Sequence, residues 1–195
     1  MPQDAIQSNT NSKTEFENGL CTELLDFISN DADLKPFYDR FMLECENITK
    51  VIELAKEEKL DAGLLDQLKT FNDKFPRSKH NALTLGQIDK TFHEILFEMT
   101  DDPRLREIFR KIIMEDGDPT KIWRSIISNE THFQELCRYH SDIVKFIEKK
   151  DEKNAIISMQ KHFVRVLPHY IQQQFNPKQS SRRSERRTEH QSDKR

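Results

Sequence analysis

Asp89-Lys90-Thr91-Phe92-His93 sets a carboxylate and an imidazole four residues apart, inside a segment that reads as a strongly amphipathic helix. On a helix, positions i and i+4 share one face a turn apart. Leu85 and Leu96 lie on that face, so the polar pair points inward, where it needs partners. Downstream, His140 and His162 each sit among apolar residues at helical spacing. They flank a turn at Lys149-Lys150-Asp151, each about ten residues from it, so an antiparallel hairpin brings the two rings level. The expectation is that Asp89, His93, His140 and His162 converge on one metal ion within a helical bundle. Imidazoles with a carboxylate suit a divalent ion, zinc first, with nickel, manganese or iron as alternatives, better than copper(I) or calcium. Taken singly, each histidine reads more readily as a satisfied core or boundary residue than as a ligand; the level register of His140 and His162 joins them into one site.

The segments on either side repeat the helical pattern. Pro36 suits a helix start, and Phe37, Phe41, Ile48, Val51, Ile52 and Ala55 extend one helix to about Lys59. A run with Leu64, Leu65, Leu68, Phe71 and Phe75 follows, halted by Pro76, and residues 76–82 read as a polar connector. After the Asp89/His93 helix and its break at Thr100-Asp101-Asp102-Pro103, Leu105, Ile108, Phe109, Ile112 and Ile113 mark another helix. Residues 120–127 read as helical, and Asn129 to Lys150 form one helix with Phe133, Leu136, Cys137, His140, Val144 and Ile147 inward. Asp151 opens the last, with Ala155, Met159, His162 and Val166 inward, and Pro168 is expected to kink or end it. Period-2 alternation bounded by turn signals is absent from the sequence. The fold class is all-α: a single antiparallel bundle of about six to seven helices around a central metal and ligand pocket.

Length and composition narrow the function classes. A chain of 195 residues suits one domain with a sizeable core. Its 4 glycines are scattered, which excludes Gly-rich phosphate loops and dinucleotide fingerprints. Its 3 cysteines, Cys21, Cys45 and Cys137, are far apart and odd in number, so they read as reduced thiols in a cytoplasmic protein. The sequence has neither a signal-peptide pattern nor an apolar run of the ~20 residues that cross a bilayer. Residues 1–14 carry too little apolar surface to offset ordering and are expected to be disordered. Thr14 with Glu17 can cap a helix through Phe16, Leu20, Leu24, Phe27 and Ile28, placing an N-terminal helix and linker at 15–35. The bundle then spans 36–175, and 176–195 form a basic tail expected to be disordered. Residues 178–195 carry a net +4 against −7 for the remainder, but have no interleaved aromatic residue to stack on bases.

The spaced residues also resemble a known family. Asp89-x-x-Phe92-His93-x-x-Leu96, followed by Asp102-Pro103-x-Leu105, is similar to the metal-binding signature of the FCD domain, the sensing half of FadR-type GntR transcriptional regulators. The stretch from His140 through Asp151 to Ala155-x-x-x-Met159-x-x-His162 resembles the rest of that signature, and Arg40-x-x-Leu43-Glu44 its opening element. Tyr139 and Asp102 depart from it, standing where the family commonly has Glu and Asn. The resemblance implies that Asp89, His93, His140 and His162 bind a divalent metal and that a small carboxylate-bearing metabolite completes its coordination. Arg40 would be the counter-charge for that carboxylate through paired hydrogen bonds, or else a salt-bridge residue. Residues 1–35 do not read as the winged helix such regulators carry. The expectation is therefore a stand-alone sensor in transcriptional control, acting as a homodimer or through a partner regulator, with no sequence-specific DNA binding of its own.

Two other classes compete. A metal-dependent enzyme could use the same three histidines and aspartate around an open coordination position, but no further general base or nucleophile motif stands at a defined spacing. A di-iron bundle needs Glu-x-x-His on two helices, whereas Lys90, Cys137 and Met159 stand three residues before the histidines.

Overall fold

The computed structural model describes residues 28–115 and 119–174. The capped helix expected from Thr14, the segment 1–14 and the basic tail lie wholly or almost wholly outside these residues, except that the chain is helical at residues 28–29 and turns at Asn30. Among the described residues there are seven α-helices and no strand: α1 (Lys35–Lys56), α2 (Ala62–Lys74), α3 (Ala82–Glu98), α4 (Pro103–Glu115), α5 (Pro119–Ile127), α6 (Glu130–Glu148) and α7 (Glu152–Gln174). A 3₁₀ turn at Pro76–Ser78 occupies part of the expected polar connector. No helix among these residues is long and apolar enough to cross a membrane.

Side-chain caps mark where the helices begin. Asp61 accepts from the Gly63 and Leu64 amides, Asn81 from Thr84, Asn129 from His132 and Asp102 from Arg104 and Leu105. Each satisfies amides that the first turn leaves without a helical partner, typically worth about 1 kcal/mol. Phe37, Phe41, Val51 and Ile52 of α1 meet Phe92 and Leu96 of α3, Ile143 and Ile147 of α6, and Ala155, Met159 and Phe163 of α7 in the main core. Phe75, Leu85, Trp123, Ile126, Phe133 and Leu136 fill a second cluster under α2, α3, α5 and α6. Leu43, Phe97, Leu105 and Phe109 seat α4 against α1 and α3.

The α6–α7 hairpin decides the register of the site. The Asp151 amide donates to the Phe146 carbonyl at 2.9 Å and the Lys150 amide to Ile147 at 3.0 Å, closing α6 with Lys150 in the left-handed region at φ 57°. Asp151 then caps α7 by accepting from the Asn154 amide. Glycine occupies a left-handed position without the Cβ clash that Lys150 meets, and the Lys150 side chain is exposed. Lys150→Gly is therefore expected to stabilise the fold by roughly 0.5–1 kcal/mol, raising the melting midpoint by about 1–4 °C. A lowered midpoint in a thermal melt would show that the Lys150 side chain outweighs its backbone strain.

Pro168 does not end the last helix, which runs on to Gln174. A proline inside a helix removes one hydrogen bond and costs about 3 kcal/mol. Here Pro168 itself faces solvent, while Leu167, His169 and Tyr170 on either side are buried. Tyr170 packs its ring 4.9 Å from Phe37. Burying side chains of this size is worth ~1.5–3 kcal/mol each, enough to carry the helix past the proline.

Candidate metal centre

Three helices deliver the four expected donors. Asp89 and His93 come from α3, His140 from α6 and His162 from α7, and one donor atom from each lies within 4.8 Å of all the others. His93 and His140 are fully buried, His162 is 3% exposed, and the Asp89 side chain, at 16%, comes nearest to solvent. Asp89 Oδ1 stands 3.3 Å from His140 Nε2 and 3.6 Å from His93 Nε2. The His140 and His162 rings stack with centroids 4.6 Å apart, which is the level register expected of the hairpin. Phe92 stacks on His140 at 4.4 Å and Phe75 meets the same ring edge-on at 4.6 Å, so aromatic packing from α3 and the end of α2 holds that imidazole in place.

These atoms lack the hydrogen bonds that buried polar groups need. Asp89 Oδ1, His93 Nε2, both His140 nitrogens and His162 Nδ1 are buried without a hydrogen-bond partner. Such a group costs ~1–3 kcal/mol, so a cluster of them in an otherwise apolar interior calls for something to satisfy it. An ion with bonds of ~2.1 Å spaces its neighbouring ligand atoms ~3.0–3.4 Å apart and opposite ones ~4.2 Å apart. The 3.3 Å separation between Asp89 and His140 falls in that frame, the 3.6 Å one to His93 is slightly wider, and the donor set of three imidazoles and a carboxylate fits a divalent cation.

Electrostatics split the three histidines. Burial works against a proton on His93, but Glu44 and then Asp89 outweigh it and raise its pKa to about 9. Burial lowers His140, although Asp89 opposes it. Burial and the neighbouring His140 hold His162 well below the ordinary histidine range. Burial would push Asp89 up, yet interaction with His140 and His93 holds it well below the usual carboxylate range. The centre thus offers a carboxylate and two neutral imidazoles, with His93 carrying an exchangeable proton.

Arg40 stands beside this centre, close enough to depress proton binding at His162. Its Nε donates to Glu44 Oε1 at 2.9 Å, and its guanidinium lies 5.6 Å from the Phe163 ring and 6.0 Å from that of Phe109. Arg40 thus forms a salt bridge with Glu44 one turn on within α1. Glu44 is the residue that sequence reasoning missed as part of the site. It is 1% exposed and its Oε2 touches His93 Nδ1. Its signal was its position one turn after Arg40 on the apolar side of α1, which put a carboxylate where the helix is otherwise buried.

A second polar seam, unforeseen in the sequence, joins α5, α6 and α7. His132 Nδ1 lies 3.0 Å from His169 Nε2, and Ser125 Oγ lies 2.8 Å from His169 Nδ1 and donates to Gln172 Oε1 at 3.2 Å. One tautomer satisfies the whole chain, with His132 donating to His169, His169 to Ser125 and Ser125 to Gln172. Burial, then His132, keeps His169 below the ordinary histidine range. The seam is internally satisfied, unlike the centre at Asp89.

A family model described as FCD domain matches residues 39–165, which take in α1 through most of α7 and all four donors. A comparison with curated proteins found no match.

Proposed function

This chain belongs to the FCD domain family, and on that footing we propose that it is a metal-dependent sensor of a small carboxylate-bearing metabolite, working in transcriptional control in the cytoplasm. The family is one of ligand-binding regulatory domains, which supports sensing over catalysis. One observation carries the reading: four donor atoms from three helices lie within a span that suits a single ion, in an interior that leaves them without hydrogen bonds. Asp89, His93, His140 and His162 would hold the ion, zinc by its preference for imidazole and carboxylate together. When bound, the ion supplies a Lewis-acid position at which an effector carboxylate can bind.

The protein's own residues set up that position. Phe75 and Phe92 hold the His140 ring, and the α6–α7 turn keeps His162 level with it. Arg40 puts a fixed positive charge beside the centre and is the residue proposed to meet the effector's carboxylate. Nothing in this reading needs residues 39–165 to contact DNA themselves.

A thermal-shift screen tests this. Zinc-loaded protein should show a raised melting midpoint with at least one small mono-, di- or tricarboxylic acid, and the rise should vanish after chelation and in Arg40→Ala. Midpoints unmoved by any acid, or moved equally in chelated protein, would overturn the sensor reading. In a mobility-shift assay at moderate salt, the isolated chain is expected to give no competitor-resistant DNA complex.

A further inference from the structure

Glu44 occupies a position that its pairing with Arg40 alone does not account for. A carboxylate at 1% exposure is costly to bury, and one guanidinium contact through Oε1 offsets only part of that cost. The other oxygen, Oε2, lies against His93 Nδ1. The opposite edge of the same ring presents Nε2 toward Asp89 Oδ1, at 3.6 Å, and so toward the metal centre. The two nitrogens of a neutral imidazole cannot both carry the proton, and whichever group the first one faces decides the state of the second. A carboxylate can only accept, so it draws the proton to Nδ1 and leaves the Nε2 lone pair for an ion. The four-donor group does not include Glu44, which acts from behind the ring.

We propose that Glu44 is the positioning residue of the metal centre, holding His93 in the Nδ1–H tautomer with Nε2 turned to the ion, and that Arg40 anchors Glu44 in that pose. The inference rests on the metal-binding reading above. It gives Arg40 a role that precedes any effector: the guanidinium fixes Oε1, so Oε2 has one direction left. Carboxylates placed behind ligating imidazoles typically change metal affinity by ~10–100-fold when removed.

Glu44→Gln tests this with metal alone. The amide keeps the volume, but with Arg40 donating to its oxygen, its NH₂ faces His93 Nδ1 and forces the proton onto Nε2. Zinc affinity measured by competition with a colorimetric chelator is expected to fall ~10–100-fold, and the visible absorption of the cobalt(II)-substituted protein is expected to weaken and shift. The metal-free variant should keep its helical circular dichroism. Wild type that binds zinc alongside an equally tight, spectrally unchanged Glu44→Gln overturns the positioning role and leaves the metal centre standing. Wild type that binds no zinc overturns the metal reading itself. Should Glu44→Gln fail to fold, Arg40→Lys carries the test, because it keeps the charge and removes the Nε anchor; a several-fold loss of zinc affinity supports the role, and unchanged affinity overturns it.

Discussion

Supplied with zinc and then desalted, the wild-type protein is expected to retain close to one equivalent of metal, and the double variant His140→Ala/His162→Ala to retain none. Those two side chains are half of the donor group and come from separate helices, so their loss leaves only the Asp89/His93 pair on one turn of α3. An ion that binds the folded state alone stabilises it by mass action, about 4 kcal/mol at a thousandfold excess over Kd. For a chain of this size that corresponds to a melting shift of roughly 8–16 °C, which chelation should remove from wild type and leave absent from the double variant. Metal-free, the two proteins should melt closer together, because the truncated rings leave a cavity but also take away buried nitrogens that had no hydrogen bonds.

Protons give the same experiment a sign. His93, raised to about 9, is protonated in the metal-free protein at neutral pH and must release that proton to bind an ion. Zinc affinity should therefore rise as pH climbs toward 9 and fall as pH drops. Calorimetry in two buffers of different ionisation enthalpy should register the released proton. Wild type that binds no metal, or binding with no proton release at neutral pH, contradicts this account of the centre.

Phe92→Ala is expected to cost about 3–5 kcal/mol, the usual range for emptying a fully buried phenylalanine site, against a typical domain stability of roughly 5–15 kcal/mol. Phe92 is 1% exposed, belongs to the main core and stacks on His140 at an interplanar angle of 22°. Its loss should lower the denaturation midpoint and also weaken zinc binding, because the His140 ring gains room to turn away from Asp89. Leu83→Ala, at 55% exposure near the start of the same helix, should stay within about 0.5 kcal/mol of wild type. Equal effects of the two substitutions would mean that the stack does not support the site.

Much of this was readable from local pattern. Helical periods of apolar residues placed α1 to α6 and the start of α7 within a few residues of their observed bounds, because each helix buries one stripe and that stripe recurs in the sequence. The Asp89/His93 pair was legible from its spacing, and the level approach of His140 and His162 from their equal distances to the Lys149-Lys150-Asp151 turn. Pro168 shows where local reasoning stopped: the cost of a proline is local, but the burial of Leu167 and Tyr170 that offsets it comes from contacts with other helices.

The sequence by itself determined that the chain is all-α and which four side chains could share an ion, since both depend on intervals along one chain that helical geometry converts directly into faces and heights. Only the tertiary structure decided that Glu44 stands behind His93 and that His132, His169 and Ser125 form a seam of their own. Those pairings depend on how α1 leans on α3 and how α5, α6 and α7 meet. That lean is set by the summed packing of side chains from many positions, and no single interval in the sequence encodes it.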